Sequence, residues 1–96
     1  MNMYDPPHPG EFIREVYLEP LRVSSRTLAG KLKVSPSTLT RLLNRKSSVT
    51  PEMALRLSKA LGRSPESWLA MQNTYDLWQM RQHFDVDQVE KLEFAM

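Results

Sequence analysis

The chain contains no cysteine and only three glycines. Disulfide staples and a cysteine-built zinc site are therefore excluded. Histidine is nearly absent too: His8 and His83 lie at opposite ends, outside any HExxH, GxSxG or phosphate-loop pattern. Glu11 and Glu15 stand four apart on one helical face, a spacing that suits a carboxylate pair but that a solvated face explains better. We expect no catalytic residue, no metal, no cofactor and no enzyme. No apolar stretch approaches the roughly 20 residues of a membrane helix. Residues 1–10 lack the basic start and apolar run of a signal peptide. The expectation is a cytoplasmic protein with no membrane partner.

The centre of the chain also lacks acid. From residue 20 to 63, Glu52 alone opposes ten lysines and arginines, a net +9. Before that stretch, Arg14 alone balances Asp5, Glu11, Glu15 and Glu19, a net −3. After it, Arg81 and Lys91 face six carboxylates, a net −4. A basic middle between acidic ends is the electrostatic footprint of a protein that meets a polyanion. A chain of 96 residues is long enough for one domain with one modest core. We take 1–96 as that domain, with a core over 9–82 and an extension over 83–96.

Apolar spacing predicts an all-α chain. Pro6, Pro7 and Pro9 keep the start extended, with His8 among them facing water. Phe12, Ile13, Val16 and Tyr17 mark a first helix from Glu11 to Leu18, stopped or kinked by Pro20. Ser24 caps a second, with Leu28, Ala29 and Leu32 inward. Ser35-Pro36, Thr50-Pro51 and Ser64-Pro65 each join a cap residue to a proline at the first helical position. They open a short helix over 36–43, a fourth carrying Met53, Ala54, Leu57 and Leu61, and a fifth reaching the neighbourhood of Gln82. Gly62 suits a left-handed end to the fourth. Trp68, Met71, Tyr75 and Trp78 form a stripe on the fifth. The stripe reads as core or as a dimer seam or partner groove. The surface candidates are Trp68, Tyr75 and Trp78, with Val89 and Leu92 in the tail. Asp85 caps either a short sixth helix or a segment ordered only on association.

The stretch RTLAGKLKVSPSTLTRLLNRK places two short helices either side of a three- or four-residue turn. Ala29 allows close crossing, Val34 fills the turn, and Leu39 and Leu42 anchor the second helix. Pro36, Ser37, Thr40 and Arg41 then point outward. A short, polar, basic face of this kind fits the major groove of duplex DNA. The amides at its start suit a phosphate. A pair of core helices with a solvated face would share the pattern, and the charge map separates the two. RNA would call for aromatic platforms on a sheet, which the pattern lacks.

Three segments, PGEFIREVYLEPL, LAGKLKVSPSTLTRLLN and VTPEMALRLSKALGRSPESWLAMQ, run in order over about two thirds of the chain. In them the chain resembles the HigA-type antitoxins, a branch of the Xre-like family of helix-turn-helix repressors. The resemblance implies a five-helix, lambda-repressor-like domain that forms a homodimer and binds a palindromic operator. It also implies repression of its own operon and neutralisation of a HigB-type toxin, a messenger-RNA endoribonuclease. By position, the helix opened by Ser35 and Pro36 is the reading helix. Pro36, Ser37, Thr40 and Arg41 become base-reading candidates. Ser35, Thr38, Asn44, Arg45 and Lys46, with Arg26 on the preceding helix, become phosphate candidates. The family usually has glycine where this chain has Lys33 and Arg45. If φ is positive there, each side chain costs roughly 1 kcal/mol. A stand-alone Xre-like regulator without a toxin, or a protein-interaction module, are the competing readings.

Overall fold

A computed structural model describes residues 5–94, and these form five helices and no strand. The first, α1, is continuous but changes pitch. It is α-helical over Pro9–Ile13, π-helical over Arg14–Leu18 and α-helical again over Glu19–Leu21. Pro20 therefore lies inside the helix and does not stop it at Leu18. A proline ring crowds the carbonyl four residues back and offers no N–H, and a wider turn just before it relieves that conflict.

Then come α2 (Ser25–Leu32), α3 (Pro36–Leu43), α4 (Pro51–Leu61) and α5 (Pro65–Arg81). The serine and threonine caps work as the sequence suggests. Ser24, Ser35, Thr50 and Ser64 each accept a hydrogen bond from the amide three residues on. Gly62 ends α4 at φ 97° and ψ −166°. That conformation is open essentially to glycine alone, but it is not the left-handed helical region.

Two expectations at the ends are corrected. His8 does not face water: it is 2% exposed. Its Nδ1 accepts from the Gly10 amide at 2.9 Å and so caps α1, with Pro9 at the first helical position. The tail is not a sixth helix. Asp85 caps a single 3-10 turn, Val86–Gln88, and the residues after it are exposed and irregular. Four apolar side chains cannot anchor ten residues that touch no second face.

The core joins Ile13 from α1, Leu28, Ala29 and Leu32 from α2, Leu39, Leu42 and Leu43 from α3, Ala54 and Leu57 from α4, and Trp68 from α5. Trp68 is fully buried, and its indole N–H donates to the Gly62 carbonyl at 3.0 Å. Phe12 meets it edge-on at 6.0 Å, and Arg63 lies over both rings. Trp68 therefore leaves the list of partner-surface candidates. Tyr75 and Trp78 are half-buried, while Val89 and Leu92 are exposed. No helix of the described residues is long and apolar enough to cross a membrane.

Candidate nucleic-acid interface

α2 and α3 meet through Lys33, Val34 and Ser35. Ala29 is 1% exposed at their crossing. Leu39, Leu42 and Leu43 turn one side of α3 into the core. At helical spacing this leaves Pro36, Ser37, Thr40, Arg41 and Asn44 outside, and all five are exposed. Arg26, Ser35, Thr38, Arg45 and Lys46 are exposed as well. The named candidates are thus all exposed, with Ser35, Pro36, Ser37 and Thr38 at the start of α3, Asn44, Arg45 and Lys46 at its far end, and Arg26 on α2.

The start of α3 offers less to a phosphate than its sequence suggests. Pro36 has no N–H, the Thr38 amide is taken by Ser35 Oγ at 3.1 Å, and the Leu39 amide by the Ser35 carbonyl. Only the Ser37 amide remains free of these caps. The Ser35 hydroxyl also lies 2.8 Å from Thr38 Oγ1 and 3.2 Å from Ser37 Oγ, which makes a compact hydroxyl cluster.

At the other end the chain reverses with Arg45 at φ 62°. The Lys46 amide donates to the Arg41 carbonyl at 2.8 Å and the Arg45 amide to that of Leu42 at 3.0 Å. This is the Schellman closure, normally built on glycine. The Arg41 guanidinium is drawn into it, donating to the Lys46 carbonyl at 3.1 Å. Lys33 closes α2 the same way at φ 62°.

Several residues that hold this surface carried no signal of their role in the sequence. Arg14 donates to Asn44 Oδ1 at 3.1 Å. It lies with Glu11, Glu15 and Arg45 along a cleft of about 280 Å³. Arg56 donates to the Leu32 carbonyl at 2.8 Å, at the end of α2, while paired to Glu52 at 2.7 Å. Glu52 and Arg56 stand four apart on α4, but nothing in that spacing foretells the reach of Arg56 across to α2. Gln72 is buried. Its Oε1 accepts from the Val49 amide and its Nε2 donates to Asp76, both at 2.9 Å. The loop carrying Arg45 and Lys46 also flanks His8, with Tyr75 edge-on to the imidazole at 4.9 Å. Burial lowers the His8 pKa below its usual value, against a hydrogen bond to the Ser47 backbone and the nearby Asp76 carboxylate.

A short helix with a polar, basic outer face, joined to a second helix through a tight turn, defines a helix-turn-helix unit. The chain matches the helix-turn-helix family over residues 13–68. It belongs to that family, in the Xre-like class that includes HigA antitoxins and HTH-type transcriptional regulators. It is 41% identical to the HTH-type transcriptional regulator YddM of Escherichia coli (strain K12), over 96% of this chain and 97% of the relative. Antitoxin HigA-1 of Vibrio cholerae is 36% identical, over 78% of this chain and 70% of its own length. The crystal structure of PA4674 from Pseudomonas aeruginosa, in complex with its 18-base-pair operator DNA, superposes with a TM-score of 0.82. It is 29% identical and covers 91% of this chain and 97% of that one.

Proposed function

We propose that the protein binds a palindromic operator as a homodimer, with α3 in the major groove, and represses its own operon. The observation that carries this is the face of α3: three leucines inward, and hydroxyl, proline and basic side chains outward. The operator complex of PA4674 supports it. Ser37 and Thr40, beside the Pro36 surface, read the base edges. Because the Arg41 guanidinium leans on the Lys46 carbonyl, we assign it to the backbone group, with Arg45, Lys46, Asn44 and Arg26. Titration of variants against operator and scrambled duplex at several salt concentrations tests this. Thr40→Ala should weaken operator binding by roughly 1–3 kcal/mol and scrambled DNA far less. Lys46→Ala and Arg41→Ala should weaken both duplexes by similar factors, with Lys46→Ala lowering the salt slope by about one. Selective loss for Arg41→Ala would restore it to base reading. No effect from any of the three would remove α3 as the reading helix.

The similarity to HigA-1 favours a second role, as the antitoxin of a HigB-type endoribonuclease. The acidic N-terminal helix would meet a basic toxin, where opposite potentials speed encounter. Co-purification with a small basic protein encoded next door is the test. No complex at micromolar concentrations leaves the regulator alone.

A further inference from the structure

Away from the reading helix, α2 and α4 frame a second basic surface. A groove of about 570 Å³ is lined by Lys31, Lys33, Leu55, Arg56 and Lys59 among others. Leu55 is 62% exposed within it, on a helix that otherwise turns its leucines inward. The Arg56 charge is spent on Glu52, while Lys31, Lys33 and Lys59 form no ion pair among the described residues. An apolar floor under unpaired lysines calls for an acidic, apolar segment. It does not suit a basic ribonuclease.

The chain carries such a segment. Residues 85–94 alternate Asp85, Asp87, Glu90 and Glu93 with Val86, Val89, Leu92 and Phe94. The four apolar side chains are 62–72% exposed. We propose that this tail docks in the Lys31–Lys59 groove of a second copy of the chain. The proposal rests on the homodimer reading above and adds an exchanged arm to it.

Geometry favours the exchange over folding back. The Val49–Gln72 hydrogen bond sets the start of α4 beside the middle of α5. α5 then runs on to Arg81, about 14 Å past that point. Lys59 lies at the opposite end of α4, another ~12 Å away, so the tail leaves its own groove behind. The exposed Leu77, Met80 and Phe84 near the end of α5 offer a seam for the same helix of a second copy. With the two helices antiparallel there, each tail runs along its neighbour toward the neighbour's α4. Ten extended residues span up to about 33 Å, and the ~20 Å run from that seam to the level of Lys59 is shorter than the ~26 Å the tail would retrace, after reversing direction, to its own groove.

The absence of native cysteine allows a direct test on the full chain. Lys59→Cys and Leu92→Cys are made in separate chains, both at exposed sites, then mixed and oxidised. The expected result is a mixed disulfide dimer in roughly tenfold excess over either self-linked species, because a docked short segment has a millimolar effective concentration. Leu55→Asp in the Lys59→Cys chain should abolish the excess. Lys59→Glu should likewise weaken association, and Glu90→Lys in the other chain should recover it. Statistical linking alone overturns the proposal, as does an intrachain bond in the double variant at low concentration. Sedimentation of the same samples separates the failures. A dimer without preferred mixed linking removes only the exchanged arm, whereas a monomer removes the homodimer as well.

Discussion

At Gly10 there is no room for a side chain. A Cβ there would overlap the Leu42 carbonyl and crowd Leu43, so α1 touches the end of the reading helix backbone to backbone. Gly10→Ala should destabilise the protein by about 1–3 kcal/mol through forced separation of the two helices, read as a lower urea midpoint. Unchanged stability would mean α1 shifts freely and does not position α3. His8 makes a second residue-scale case. Burial depresses its folded pKa, so the native state favours the neutral ring, whose Nδ1 accepts from Gly10. Below pH 6.5 the unfolded chain takes up a proton that the folded one resists. Stability is therefore whole above about pH 6.5 and falls as pH drops through the lower, folded value. Urea midpoints from pH 8 to 5 should decline for the native chain and flatten for His8→Gln. A parallel decline in both would assign the acid sensitivity to other groups.

Three helices in succession end on a basic residue in the left-handed conformation: Arg22 at φ 56°, Lys33 at 62° and Arg45 at 62°. Each closure has the same pair of amide bonds back to the preceding turn. Glycine would relieve about 1 kcal/mol of strain at such a site, but it would forfeit a cation beside the negative end of the helix. At Arg45 that cation also lies beside the reading helix. Arg45→Gly should raise stability by about 0.5–1 kcal/mol while weakening duplex binding and lowering the salt slope by about one. Calorimetry and a salt titration check the two halves separately. A less stable variant would show that Arg45 earns its place through folding. Unchanged DNA affinity would place it off the phosphate path.

At the scale of the whole molecule, the proposed reading face on α3 and an exposed apolar patch on α5 belong to different helices. Leu77, Met80 and Phe84 are 46–58% exposed on the last turns of α5 and just beyond. Two-fold pairing through this end would present two reading helices to one duplex. Met80→Asp should shift the sedimentation equilibrium toward monomer by tenfold or more, as burying an unpaired carboxylate costs at least ~1.4 kcal/mol. Operator affinity should fall with it. A variant that stays dimeric would move the seam elsewhere.

Helix order and the outward face of α3 were legible because their causes are local. A serine or threonine cap, a proline behind it and leucines at helical spacing act within one turn of chain, and so the α2–α3 unit and its exposed residues emerge from the sequence. The positive φ at Lys33 and Arg45 was legible from where glycine is usual. His8 as a cap was not, because an imidazole does this only when a neighbour such as Tyr75 closes over it. Trp68 and Tyr75 share a stripe on paper, yet Phe12 and Arg63 bury the first and leave the second half open. Arg14 on Asn44, Arg56 on Leu32 and Gln72 on Val49 join residues 23 to 30 positions apart. No periodicity records such pairs. They exist only once the core has brought separate helices within hydrogen-bonding distance, and they decide where the reading helix and its basic loop are held.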